Sequence, residues 1–178
     1  MKKILFGLAL LAILGTFVAC DDSGDHLGAP GEQGRLSFSS QTVHTQQYVQ
    51  GTWTSNIEYP LVTVISSGAE LEQYYNAYRD ILDFSRHPYS PNGFADAIGK
   101  YTNAFFANSF LVLVLLEETS GSNRHRVEWV EENGKIVITR LIPEIGDMAM
   151  AQWHIIIELD NNDKLEQFQA VFVDGRLQ

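Results

Sequence analysis

Phe110 to Leu116 are apolar at every position. A run of this kind is the pattern of a β-strand covered on both faces, and it is far too short to cross a bilayer. Elsewhere the pattern alternates. From Met148 to Leu159 the odd positions Ala149, Ala151, Trp153, Ile155, Ile157 and Leu159 form one apolar face, with His154 and Glu158 on the other. Val43 to Trp53 alternates more weakly, with Val43, Thr45, Gln47 and Val49 on one side, and predicts a half-exposed strand. After Pro60 the β-branched run Leu61 to Ile65 predicts a buried strand, and Phe168 to Val173 a last strand beyond the polar break Asp160 to Lys164.

A helical period replaces alternation after Ser67. Ser67 and Glu70 have the S-x-x-E spacing of a capping box, and Leu71, Tyr74, Tyr75, Tyr78, Ile81 and Leu82 follow on one stripe. Three tyrosines on that stripe suit either an aromatic ligand platform or, more commonly, a helix packed on a sheet. A shorter helix is predicted from Ser90 as cap with Pro91 at its first position, burying Phe94, Ala97, Ile98 and Tyr101. Asn133-Gly134, between Arg126–Glu132 and Lys135–Leu141, predicts a hairpin with a type I′ turn. In that register Trp129 faces Ile138, Val127 faces Arg140 and Glu132 faces Lys135. The elements together predict an α+β fold: an antiparallel sheet or small sheet sandwich of six or seven strands, with one firm and one short helix packed against it.

The beginning of the chain reads differently. Lys2 and Lys3 precede an apolar run, Ile4 to Val18, of the length of a signal-peptide core. Phe17-Val18-Ala19-Cys20 then resembles the lipobox of bacterial lipoprotein precursors, with Phe17 in place of the usual leucine. That resemblance implies lipid attachment at Cys20, the only cysteine. Residues 1–19 are accordingly expected to be a signal peptide, 20–40 the lipidated cysteine with a flexible acidic tether, and 41–178 a single globular domain. Asp21 to Gly34, taken as a coil, reaches roughly 20 Å. The expected location is the cell envelope, on the extracytoplasmic face of a membrane.

Charge narrows the partners. The net charge of −10 falls to −12 once Lys2 and Lys3 are removed, which argues against nucleic acid and against lying flat on anionic lipid. With one thiol there is no disulfide framework, no cysteine-based metal site and no cysteine nucleophile in the folded part. H-E-x-x-H, G-x-S-x-G and Gly-rich phosphate loops are absent, and the histidines His26, His44, His87, His125 and His154 have no pair at metal-ligand spacing on a predicted element. Asp160-Asn161-Asn162-Asp163 begins like a calcium loop but continues with Lys164 and lacks the turn glycine. No catalytic residue, metal or cofactor is expected.

Two loops remain as candidates. Glu117 to His125 leaves the buried strand and enters the hairpin, so it lies at one end of the sheet. It reads as a recognition loop, as a proton-transfer pair of Glu117 with His125, or as a solvated connection whose acids lean on Arg124 and Arg126. Pro143 to Met150 carries Met148 and Met150, thioethers that suit either an adaptable surface or a core. The residues taken as a binding set are Ser120, Ser122, Arg124, His125, Asp147, Met148 and Glu158.

A wider resemblance rests on Ala104-Phe105-Phe106, Ser109 to Val112, Glu117-Glu118, Ser120-Gly121-Ser122, Arg124-His125, Val127, Asn133-Gly134-Lys135, Pro143 to Ala149 and Trp153. In this order they resemble a group of uncharacterised lipoproteins of anaerobic, mostly gut-associated bacteria. More remotely, the succession of helix, hydrophobic strand, Gly-Ser loop and hairpin is similar to the C-terminal domain of the protease-complex accessory protein PrcB. The resemblance implies an extracytoplasmic accessory role beside a protease and no catalytic residue. Ser120 to Asn123 stand where those relatives carry a Gly-Gly-Tyr-like turn. The expected function is therefore a membrane-anchored binding or accessory module contacting a protein or peptide. The alternative is a solute- or glycan-binding lipoprotein that stacks ligands on Tyr74, Tyr78, Trp129 or Trp153.

Overall fold

The computed structural model describes residues 34–47, 57–79, 82, 93–147 and 149–177. Cys20, residues 1–19 and most of the expected tether lie outside them. Among the described residues eight strands form two four-stranded sheets. The first has the order β1 (Arg35–Leu36), β5 (Arg124–Glu131), β6 (Lys135–Ile142), β8 (Gln169–Arg176). The second has the order β2 (Phe38–Gln47), β7 (Ala151–Asp160), β4 (Ser109–Glu118), β3 (Leu61–Ile65). The fold is the α+β sheet sandwich that the pattern predicts.

β4 explains why there are three layers. Its even positions Phe110, Val112, Val114 and Leu116 face the first sheet and join Val127, Val130, Ile136, Ile138, Trp153, Ile155, Ile157 and Leu159 in one core. Its odd positions Leu111, Leu113 and Leu115 face the other way, into a second core with Ile65, Leu71, Tyr74, Phe94, Tyr101 and Phe106. That second core is roofed by helices α1 (Gly68–Tyr78), α2 (Phe94–Ile98) and α3 (Asn103–Phe106). An uninterrupted apolar run is what a strand between two dry layers requires.

The cap of α1 follows the expected chemistry. Ser67 Oγ accepts from the Glu70 N–H at 3.2 Å, and Glu70 Oε2 accepts at 2.7 Å from the N–H of Ser66, one residue before the cap. Leu71 and Tyr74 are buried and Tyr75 and Tyr78 are half-buried against the same core, while Ile81 lies outside the described residues. The proposed start of the second helix, Ser90-Pro91, also lies outside them. The described helix begins at Phe94 with Gly93 as cap.

Four expectations are corrected. Residues 35–40 are not all tether: β1 and the start of β2 are strands, because Leu36 and Phe38 pack into the inter-sheet core. The hairpin turn is not type I′. Among the described residues no non-glycine has positive φ; only Gly134 of the pair does, at 87°, and its N–H bonds to the Glu131 carbonyl at 2.9 Å. This is a three-residue loop with the glycine as bulge, and Asn133 uses its Oδ1 to accept from the Lys135 N–H at 2.9 Å. The register shifts accordingly, and a second irregularity at Glu128 shifts it again: Val127 lies opposite Ile138, and Trp129 opposite Val137. Finally, β8 runs parallel to β6, so the first sheet is mixed.

Gly134 is held by more than its φ angle, since a Cβ there would run into the Gln167 carbonyl oxygen. Gly134→Ala is expected to cost about 1–3 kcal/mol of stability. Urea denaturation would show this as a lower midpoint with unchanged slope.

Candidate functional site

The stripe that β4 sends between the sheets does not stop at Leu116. Two residues on, Glu118 has the same parity, so its carboxylate enters the inter-sheet space with 3% of its surface exposed. Oε1 accepts from His125 Nε2 and Arg140 Nε, both at 2.8 Å, and Oε2 accepts from Asn123 Nδ2 at 2.9 Å. Burial pushes the Glu118 pKa up, but the hydrogen bonds from His125, Asn123 and Arg140 outweigh it and leave the carboxyl below its ordinary value. Arg140 Nη1 continues to Asp174 Oδ1 at 3.2 Å, linking β4, β5, β6 and β8 at one end of the sandwich. His125 therefore pairs with Glu118, not with Glu117, and is itself buried. Its Nδ1 has no hydrogen-bond partner among the described residues.

Next to this network two loops are tied together. Ser120 Oγ donates to Asp147 Oδ1 at 3.0 Å, the Asp147 N–H donates to Ser122 Oγ at 3.0 Å, and the Gly121 N–H donates to the Ala149 carbonyl at 2.8 Å. Slight burial pushes the Asp147 pKa up, yet the donors of Ser120, Gly121 and Ser122 prevail and hold it below the usual carboxylate value. Gly121 and Gly146 are the close-approach points: a Cβ on the first would sit 3.2 Å from Asp147 Oδ2, and on the second 3.0 Å from Ser120 Oγ. Arg124 Nη1 donates to the Gly121 and Asn123 carbonyls, each at 2.9 Å, and the guanidinium lies 5.2 Å from the Trp153 ring centre. The tip of the β6–β7 loop carries Ile145 with 90% of its surface exposed. Beside it opens a cleft of about 760 Å³ lined by Ile142, Pro143, Glu144 and residues 174–177.

The seven expected binding residues therefore divide. Ser120, Ser122, Arg124 and Asp147 come together in the tied loops, and His125 is adjacent but turned inward. Met148 lies outside the described residues. Glu158 belongs elsewhere: seven residues along β7 from Ala151, it is about 23 Å from the loop end. There its Oε1 accepts from Lys100 Nζ and Tyr101 OH, both at 2.8 Å. Glu117, His125 and Glu158 thus do not share a site.

The stacking surfaces expected of a glycan binder are also largely withdrawn. Tyr74 and Trp153 are core residues, and Trp129 is half-buried beneath the Arg35 guanidinium at 4.2 Å. Tyr74 instead bonds through its hydroxyl to His154 Nε2 at 2.9 Å, while Thr45 Oγ1 lies 2.6 Å from Nδ1 and the Phe94 ring stacks at 4.0 Å. Fully enclosed, His154 has its pKa pushed down by burial to about 3. Among the described residues no group of three or more His, Cys, Asp or Glu side chains is placed to hold a metal, and no helix is long and apolar enough to cross a membrane.

Comparison with protein-family models, with curated protein sequences and with solved structures found no match to this chain.

Glu118 is the residue that sequence reasoning missed, although the parity of β4 points to it. Because its loss strands His125, Asn123 and Arg140 without their acceptor, Glu118→Ala is expected to cost about 3–5 kcal/mol, read as a fall in unfolding free energy at neutral pH.

His154 supplies a pH dependence. Its folded pKa lies below the value of 6.5 expected when exposed, so the unfolded state binds the proton more readily. Its contribution to stability is complete above pH 6.5 and is lost as the pH falls toward 3, at about 1.4 kcal/mol per pH unit. The His154 imidazole signals should show no titration by NMR from pH 7 to about 4, while stability declines over the same range. A normal titration near 6.5 would contradict this assignment.

Proposed function

We propose that this chain is a lipid-anchored extracytoplasmic module that holds a protein or peptide partner and carries out no chemistry of its own. One observation carries the reading: Ile145 stands almost wholly exposed on a loop whose base is fastened by Asp147 to Ser120 and Ser122. An exposed large aliphatic side chain is ordinary when isolated. On a loop held at its base it can enter a partner's pocket without a large ordering cost, and the exposed Ile142 extends the surface. The polar groups of Ser120, Ser122 and Asp147 bond to one another, so they set the shape of the loop rather than offering free donors.

The other parts of the reading rest on the sequence. Cys20 in its lipobox-like setting supports anchorage to the cell envelope, and the acidic segment after it supports a spacer that stands off an anionic surface. The similarity to the PrcB C-terminal domain suggests an accessory role beside an extracytoplasmic protease.

Affinity capture from the native envelope should recover one reproducible protein partner. Ile145→Ser should lower that recovery at least about tenfold while changing stability by less than about 0.5 kcal/mol. If capture yields no recurring protein, or if the substitution leaves recovery unchanged, the reading fails. Separately, Cys20→Ser should move the protein from the membrane to the soluble fraction without altering its melting temperature. A Cys20→Ser protein that stays membrane-bound would put the anchor in the uncleaved apolar segment.

A further inference from the structure

β8 closes the first sheet on one side, and among the described residues no strand pairs with its outer edge. The N–H groups of Gln169 and Leu177 donate to the Gly134 and Ile142 carbonyls, at 2.9 and 3.0 Å, so the odd residues of β8 turn their backbone groups toward β6. Alternation then directs the backbone groups of Ala170, Phe172, Asp174 and Arg176 outward, as a row of donors and acceptors that no described strand fills. Two side chains near the end of this edge are exposed and apolar, Val173 at 51% and Leu177 at 40%. Between them lie an acid and a base two residues apart, Asp174 and Arg176, with Gly175 in the middle.

We propose that two copies of this chain associate through β8, antiparallel, about a two-fold axis at Gly175. The sequence of the edge selects that register. With the axis at Gly175, Asp174 lies opposite Arg176 of the second copy, twice by symmetry, and these are outward-facing residues able to exchange backbone hydrogen bonds. Val173 lies opposite Leu177 of the second copy on the other face, so the exposed apolar side chains cover each other. Gly175 meets its own counterpart at a closely spaced, non-hydrogen-bonded position. An axis at Asp174 would oppose like charges. An axis at Val173 would set Asp174 against Phe172 and Leu177 against Gln169. Only the Gly175 register satisfies charge, apolar cover and hydrogen-bond direction together. The contact is small, so the dimer is of modest affinity and forms at high local concentration. It does not rest on the function proposed above.

Sedimentation of the full-length chain in detergent over a concentration series should show reversible dimerisation. Arg176→Asp places two Asp–Asp pairs across the axis while leaving the Arg140–Asp174 bridge in place, and it should weaken the dimer about tenfold. A monomer at every concentration overturns the proposal. So does an Arg176→Asp protein that associates as well as the parent.

A second measurement does not depend on those charges. In a Cys20→Ser background, Val173→Cys with Leu177→Cys should oxidise to a covalent dimer, while either cysteine alone should not. Residues four apart on one strand are separated by about 13 Å and cannot bridge within a chain. No covalent dimer from the pair, or equal yield from the single variants, overturns the register.

Discussion

The double burial of β4 is the constraint on which the other elements depend. Because its two faces feed different cores, neither the helices nor the first sheet can be removed without exposing a full row of leucine, valine or phenylalanine side chains. β7 beside it obeys the same rule, with Trp153, Ile155, Ile157 and Leu159 turned to one core and His154 and Ile156 to the other. Two of the charged or titratable groups that enter these cores are held in bonded clusters. His154 is bonded on both ring nitrogens, and Glu118 has three donors on its two oxygens.

The Glu118 cluster marks where the dry interior ends. At that end of the sandwich the stripe changes from Leu116 to a carboxylate, and the opposing sheet changes from Ile138 to Arg140 at the corresponding place. Ion pairs buried in this way contribute little net stability when compared with an apolar replacement, but they are unforgiving of mispairing. One carboxylate bonded to Asn123, His125 and Arg140 therefore fixes how the β4–β5 loop returns and how β6 lies above β4. The tied loops of Ser120 and Asp147 grow from that fixed base.

Much of this was legible in the residue pattern, and the failures have identifiable causes. The unbroken run in β4, the alternation in β7 and the capping box before α1 are strong signals because each fixes a face or an end directly. The type I′ turn failed because Asn133-Gly134 fits two loop geometries, and only long-range pairing decides between them. Pairing Glu117 with His125 failed for a simpler reason: adjacent strand residues point to opposite faces, and continuing the parity from Phe110 would have chosen Glu118. The parallel course of β8 has no local signal, since alternation is blind to strand direction. Glu158, by contrast, was separable from the loops, because the strand predicted from Met148 to Leu159 already puts it ten residues from Met148, near the far end.

The chain enters the sandwich at Arg35 to Phe38, and these residues pair with Glu131, Val130 and Leu159 at one end of the two sheets. The Ser120 and Asp147 loops lie at the other, about 30 Å away along the strands. Entry and loop tip are opposite poles of the molecule. A body held from a surface through the residues before Gly34 would hang by one pole and turn the other outward. Topology alone would then decide which pole is tethered, with no contact needed between the domain and the surface beneath it.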